Sequence, residues 1–200
     1  MWVGRDRTTD TMARFFRWLG RCRARAIPTV CCDMWSVYSD AVETHLPQAA
    51  LVFDRFHLSQ HLSRAVDEVR RQTWRQLQGT EKVEFKHTRF LWLKNPDHLA
   101  PDERARLSTL LRINSPIVKA YLLKEDLRRF WTYRYTAWAG AHLLHWLWRA
   151  SHSRLAPFKK LARMLRDHLD GVISHRAYGY RTTWTYMANI YHGCAGLPQP

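Results

Sequence analysis

Two aspartates directly follow short apolar runs. Asp33 comes after residues 27–32, and Asp54 comes after residues 50–53. Both runs have the length and composition of buried strands. In an open α/β sheet, ligands gather outside the carboxyl ends of the strands. The two carboxylates are therefore expected at one sheet edge. Carboxylates gathered there are hard oxygen ligands for Mg²⁺ or Mn²⁺, and two such ions clamp the attacking and leaving oxygens of a phosphodiester. An aspartate after a strand also serves simply as the cap of the next helix. Asp54-Arg55-Phe56-His57 illustrates this: with Asp54 as N-cap, His57 is the third helical residue, and the two side chains lie close.

Other reactive types are less organised. His57 and His61 are four apart, and His142 and His145 are three apart, but neither pair has an evident third ligand. The four cysteines are Cys22, the adjacent Cys31 and Cys32, and the distant Cys194. They form no C-x-x-C pair and no disulfide framework, as expected for a reducing compartment. The chain has no glycine-rich phosphate loop and no G-x-S-x-G elbow.

Charge indicates the kind of partner. Among 200 residues, 32 Lys and Arg stand against 17 Asp and Glu, a formal net charge of +15. Such an excess points to a polyanion, most often nucleic acid. The basic residues are dense over 14–25, 64–75, 104–112, 128–134 and 154–166. Any one run reads as a solvated face; together they could line a channel for a phosphate backbone, with binding that falls steeply as salt rises. Most of the 10 Trp, 8 Tyr and 8 Phe are expected in the core, with a minority left to stack on bases. Apolar runs are interrupted well short of a membrane span, and the first residues lack a signal-peptide h-region. A soluble cytoplasmic protein is the expectation.

The elements that must position Asp33 and Asp54 follow from periodicity. Residues 1–3 read as the end of a strand, with a turn at Gly4. Met12, Phe15, Phe16 and Leu19 give a helical stripe, capped by Thr8, Thr9 or Asp10 and ended by Gly20. Residues 21–25 read as a basic linker. Tyr38, Ala41, Val42 and Leu46 mark a helix between the two later strands. After Asp54 a long helix turns Leu58, Leu62, Ala65, Val66 and Val69 inward, with Arg64, Arg70, Arg71 and Arg75 outward. The order strand-helix-strand-helix-strand-helix is an α/β unit. Beyond Trp74 only helices are expected. Leu107, Leu110 and Leu111 mark one, and Val118, Tyr121, Leu122 and Leu127 another. Ala137, Ala141, Leu144 and Trp148 mark a third; Leu155, Phe158, Leu161, Ala162, Leu165, Leu169 and Val172 mark a fourth. Residues 181–191 could add a last short helix.

One ordered string of residues resembles a known family. Cys32-Asp33-Met34-Trp35, Tyr38, Ala41-Val42, His45-Leu46-Pro47 and Val52-Phe53-Asp54-Arg55-Phe56-His57 are similar to the core of bacterial insertion-sequence transposases of the ISL3 type. Trp2-Val3-Gly4, Phe15-Phe16 and Leu19-Gly20 resemble the segment before that core. Arg89-Phe90-Leu91-Trp92-Leu93-Lys94-Asn95-Pro96 and Ala120-Tyr121-Leu122-Leu123-Lys124-Glu125 resemble the family's helical insertion, and Ala177-Tyr178-Gly179-Tyr180-Arg181 its C-terminal motif.

The resemblance implies a ribonuclease H-like fold and DDE chemistry, in which two Asp and one Glu hold two Mg²⁺ or Mn²⁺ ions and DNA strands are cut and joined. It makes Asp33 the second catalytic Asp and a metal ligand, and Asp54 and His57 an accessory pair. The first Asp is expected on a strand upstream of residue 1. The Glu is expected on a helix between Ile173 and Arg176, where Val172-Ile173-Ser174-His175 runs straight on. The expectation is thus a mixed α/β protein, truncated and internally deleted. A partial ribonuclease H-like core would span residues 1–78, a helical insertion 79–172 and a C-terminal remnant 173–200. Such a chain would bind DNA at transposon ends through Arg55, Arg64, Arg70, Arg71, Arg75, Arg176 and Arg181 without cutting it. It could self-associate or pair with an intact transposase, as a non-enzymatic regulatory module would.

Overall fold

Thr8 starts the first ordered element because its hydroxyl accepts the N–H of Thr11 at 3.3 Å, satisfying a donor that the helix leaves open. In the computed structural model, residues 2–4, 6, 8–34, 36–113 and 115–174 are described. The described residues divide into two units, one drawn from Met1–Leu58 and His168–Pro200, the other formed by Ser59–Asp167.

In the first unit, α1 (Thr9–Leu19) buries Phe16 and Leu19. Gly20 ends it at φ +76°, a conformation that suits glycine. The expected basic linker is instead a short helix, α2 (Arg21–Arg25). Gln48 donates through its side-chain amide to the carbonyls of Ala24 at 2.8 Å and Ile27 at 3.3 Å. The Ala24 carbonyl also accepts the Ile27 N–H at 3.1 Å, so the Gln48 amide reinforces the turn that closes this short helix. Strand β1 (Thr29–Cys32), helix α3 (Ser36–His45) and strand β2 (Ala50–Phe53) follow. The strands are parallel, pairing Thr29 with Ala50 through Cys32 with Phe53, and α3 connects them. Phe16, Leu19, Ala24, Ala41, Val42 and Leu46 form the buried cluster of this unit.

The strand expected before Gly4 is not formed. Trp2, Val3 and Gly4 are irregular, and Val3 is exposed. Trp2 finds its apolar partner on α1, where its ring lies 5.2 Å from that of Phe15. Among the described residues the sheet therefore has two strands rather than three.

The long helix α4 (Arg55–Gln76) leads into the second unit. That unit adds α5 (Gly79–Glu84), α6 (Arg89–Leu93), α7 (Pro101–Leu110), α8 (Pro116–Arg129), α9 (Thr136–Ser151) and α10 (Ala156–Asp167). No strand follows β2 among the described residues, as the periodicity implied. The short α5 and α6 have too few turns to show a period. Helix α9 forms where expected, but with the other face inward. Ala139, Leu143, Trp146, Leu147 and Ala150 are buried, while Ala137, Ala141, Leu144 and Trp148 are exposed. The helix is apolar nearly all round, so two stripes satisfy the same spacing, and only packing selects one. The stripe expected to run on to Val172 is interrupted by a turn at His168, and residues 169–174 are again helical. Residues 181–191 lie outside the described residues.

Candidate functional site

The parallel register carries Asp33 and Asp54 to adjacent places. Cys32 pairs with Phe53, and the N–H of Asp54 donates to the Cys32 carbonyl at 3.3 Å. One residue further, both aspartates leave the carboxyl edge of the sheet. Asp54 is buried and caps α4, its Oδ1 accepting the Phe56 N–H at 2.8 Å. Its other oxygen, Oδ2, lies 2.8 Å from Nδ1 of His57. The opposite ring nitrogen, Nε2, stands 3.5 Å from Oδ2 of Asp33. The His57 ring thus lies between two carboxylates. Asp54 fixes the orientation of the ring, and the ring presents Nε2 to Asp33. The side chains of Asp33 and His57 keep 25% and 20% exposure, so the pair can be reached from solvent.

This geometry gives the two aspartates different capacities. Both oxygens of Asp54 are engaged within the chain, whereas among the described residues Asp33 makes one long contact, with His57. A divalent ion at this edge would find Asp33 as an oxygen ligand and Nε2 of His57 as a nitrogen ligand. A paired-ion centre needs more carboxylates than that. Among the described residues no group of three or more His, Cys, Asp or Glu could hold a metal ion. The paired-ion arrangement therefore does not fit the described residues.

The neighbouring thiols are inert. Burial, and secondarily the Asp54 charge, pushes Cys31 up to about 11. Burial, with the Cys31 and Asp33 charges behind it, pushes Cys32 up to about 12. Neither forms the thiolate that nucleophilic chemistry requires at neutral pH. His142 is internally committed, with Nε2 2.8 Å from the Asp126 carbonyl oxygen and Nδ1 3.3 Å from the Tyr133 hydroxyl. It is not one half of a chelate with His145.

The arginines read from the sequence fall in both units. Arg55 is exposed at the first position of α4, in the first unit. In the second unit Arg64, Arg71 and Arg75 are exposed and share one face of α4. Arg70 is turned inward, its side chain 20% exposed and its Nε 2.8 Å from Oδ1 of Asp67. Arg176 and Arg181 lie outside the described residues. Two residues that the sequence reading did not single out organise this region: Asp67, which Arg70, Arg71 and Arg89 all approach, and Lys124. The spacing of Asp67 to Arg70 and Arg71 is a helical i,i+3 and i,i+4 pattern legible in the chain; the arrival of Arg89 is not.

Replacing Asp54 by alanine should destabilise the first unit by about 2 kcal/mol, because the cap and the His57 bond are lost together. Asp54→Asn, which keeps an acceptor for the Phe56 N–H, should lose about half as much. Urea melts of the three chains measure the difference; equal stability of the wild type and Asp54→Ala would refute the capping role.

Asp33 and Asp54 thus leave one sheet edge side by side, in a chain of formal net charge +15. The family model that matches this chain, over residues 1–185, is that of the DDE transposases of the ISL3 type, described as Transposase. The chain belongs to that family. It is similar to the transposase for insertion sequence element IS1001 of Bordetella parapertussis, with 32% identity over 215 residues, 95% of this chain and 53% of the relative. It is also similar to the transposase for insertion sequence element IS1557 of Mycobacterium tuberculosis, with 25% identity over 201 residues, 88% of this chain and 45% of the relative. The chain spans about half the length of these relatives. No solved structure matches it.

Proposed function

We propose that this chain carries part of a ribonuclease H-like DDE domain, holds transposon-end DNA, and does not cut it unaided. The observation that carries this reading is the unequal state of the two carboxylates at the sheet edge. Asp33 is open to a ligand, and Asp54 is engaged by Phe56 and His57. Asp33 takes the role of the second catalytic Asp. Asp54 and His57 take that of a positioning pair, which holds a polar ring against Asp33 and fixes one side of its surroundings.

In the intact family Mg²⁺ or Mn²⁺ supplies the activation of the attacking oxygen and the stabilisation of the leaving one. Here Asp33 is the carboxylate that would contribute to holding such an ion. The described residues do not complete the shell of such an ion. Two further observations support incompetence. Residues 172–176 run on without an intervening Glu. The aligned span with the IS1001 transposase, 215 residues, is also longer than this whole chain, so the relative carries residues that this chain skips. The helical region 79–172 is read as the family's insertion, since the chain leaves the first unit at Leu58 and returns at His168. Residues 173–200 are read as the remnant of the catalytic domain beyond it.

The test is a nicking and strand-transfer assay on insertion-sequence end DNA in Mg²⁺ or Mn²⁺. Binding without cleavage is expected. Cleavage that disappears in Asp33→Ala would overturn the proposal. One observation favours association with an intact transposase as a second reading: α9 exposes Trp138, Leu144 and Trp148 along its outer side. Co-purification with a tagged full-length relative, lost on replacing these three by polar residues, would support it.

A further inference from the structure

Asp67 lies two turns into the second unit's portion of α4, and its side chain is only 12% exposed. Three guanidinium groups reach it. Arg70 places Nε 2.8 Å from Oδ1, Arg71 places Nη2 3.1 Å from Oδ2, and Arg89 of α6 places Nε 3.5 Å from Oδ1. One carboxylate against three guanidiniums leaves a formal excess of +2. One guanidinium neutralises a buried carboxylate; the second and third add unbalanced charge. The contacts with Asp67 use Nε of Arg70 and Nε of Arg89. Among the described residues, the Nη groups of both have no protein acceptor. Arg71 and Arg89 keep 60% and 56% exposure, so their unused edges face water. Arg89 is further steadied by lying 5.7 Å from the centre of the exposed Phe90 ring. Arg64 and Arg75 continue the basic face on either side of Arg71, giving a ridge about 16 Å long at the helical rise per residue.

We infer that Asp67, Arg70, Arg71 and Arg89 form a phosphate anchor for the backbone of duplex DNA. Asp67 is the internal counter-ion that aligns the guanidiniums. Arg71 and Arg89 supply the forked donors that a phosphodiester oxygen pair accepts. The anchor fixes the register of the helix on the duplex and reads no sequence, as backbone contacts do. This inference rests on the proposed DNA-binding function and specifies where on the second unit that binding is made.

The test compares three forms of the full 200-residue chain: wild type, Arg71→Gln/Arg89→Gln, and Lys119→Gln/Lys159→Gln. The last removes the same charge from exposed positions on α8 and α10. Affinity for a labelled duplex is measured by fluorescence anisotropy across a range of salt. In the Arg71→Gln/Arg89→Gln chain, affinity should fall at least about tenfold, and the slope of log affinity against log salt should become shallower by about two. The lysine variant should change the slope by well under one. Arg70 still neutralises Asp67 in the Arg71→Gln/Arg89→Gln chain, so both variants should melt cooperatively, and affinities are compared well below the lowest of the three melting temperatures. Equal losses in the two variants would show that only net charge counts and would overturn the anchor while leaving DNA binding standing. A wild-type chain that binds no duplex would overturn both.

Discussion

Lys124→Met should lower the stability of the helical unit by about 3–4 kcal/mol. Lys124 is 3% exposed, and its ammonium group lies within the unit. It donates to the carbonyls of Trp92 at 2.7 Å and Lys94 at 3.0 Å, and it lies 2.8 Å from a carboxylate oxygen of Glu125. It also stands 4.7 Å from the centre of the Tyr121 ring. Burial pulls its pKa below the ordinary lysine value, and the bond to Glu125 opposes that shift. The carbonyls belong to the C-terminal end of α6, a helix of five residues whose last acceptors have no intrahelical donor.

Methionine matches the volume and removes the donors. The buried Trp92 carbonyl and the partly buried Lys94 carbonyl then lose this donor, and Glu125 keeps Arg128, at 2.6 Å. Lys124→Arg should not restore the wild type, since the larger planar guanidinium must be fitted where a 3% exposed ammonium now sits. The measurement is a urea melt of the second unit. At an m-value of roughly 2 kcal/mol per molar, the midpoint should fall by about 2 M. A shift under about 0.5 M on the same scale would show that the ammonium does not hold α6.

Gly171→Ala should cost the first unit about 2 kcal/mol net, although alanine is the better helix former. Residues 169–174 are helical, so propensity alone favours the substitution by about 1 kcal/mol. A methyl group on Gly171 would lie far inside van der Waals contact with Cε2 and Cδ2 of Phe53. That ring cannot swing aside cheaply. Phe53 is 3% exposed and packs edge-on against His168 at 5.0 Å. The overpacking therefore exceeds the helix gain.

Phe53 is also the residue before Asp54, so displacing it should disturb the candidate site as well as the core. Thermal melts of Gly171→Ala, Phe53→Leu and the double variant form a cycle with the wild type. A coupling of at least about 1 kcal/mol, with the double variant more stable than the sum of the single losses predicts, is expected. Purely additive losses would place the strain elsewhere. Amide spectra should report the same event, with shifts at Asp54, Phe56 and His57 in Gly171→Ala.

What the chain specifies locally was legible in it. The strand at residues 50–53 is bounded by Pro47 and Asp54, and the stripe of α4 repeats at helical spacing without a break. Such patterns arise from the geometry of one element, so they need no knowledge of its neighbours. Asp54 and His57 were legible for the same reason: a cap and its third helical residue meet through local backbone geometry. The family followed from an ordered string of residues, and the match over residues 1–185 bears it out.

Long-range contacts required the fold. Only packing could choose between the two apolar faces of α9, both at helical spacing. Only the register of β1 on β2 brings Asp33 to the far nitrogen of His57. Lys124 and the end of α6 are 30 residues apart, and Arg89 is 22 from Asp67, distances over which periodicity carries no information. The sequence by itself determined which residues form the elements and which family they belong to, because secondary structure and motif order are local properties. Tertiary structure alone decided that Asp33 meets His57, that Lys124 is buried and that Arg89 joins Asp67, because each of those depends on separate segments meeting in space.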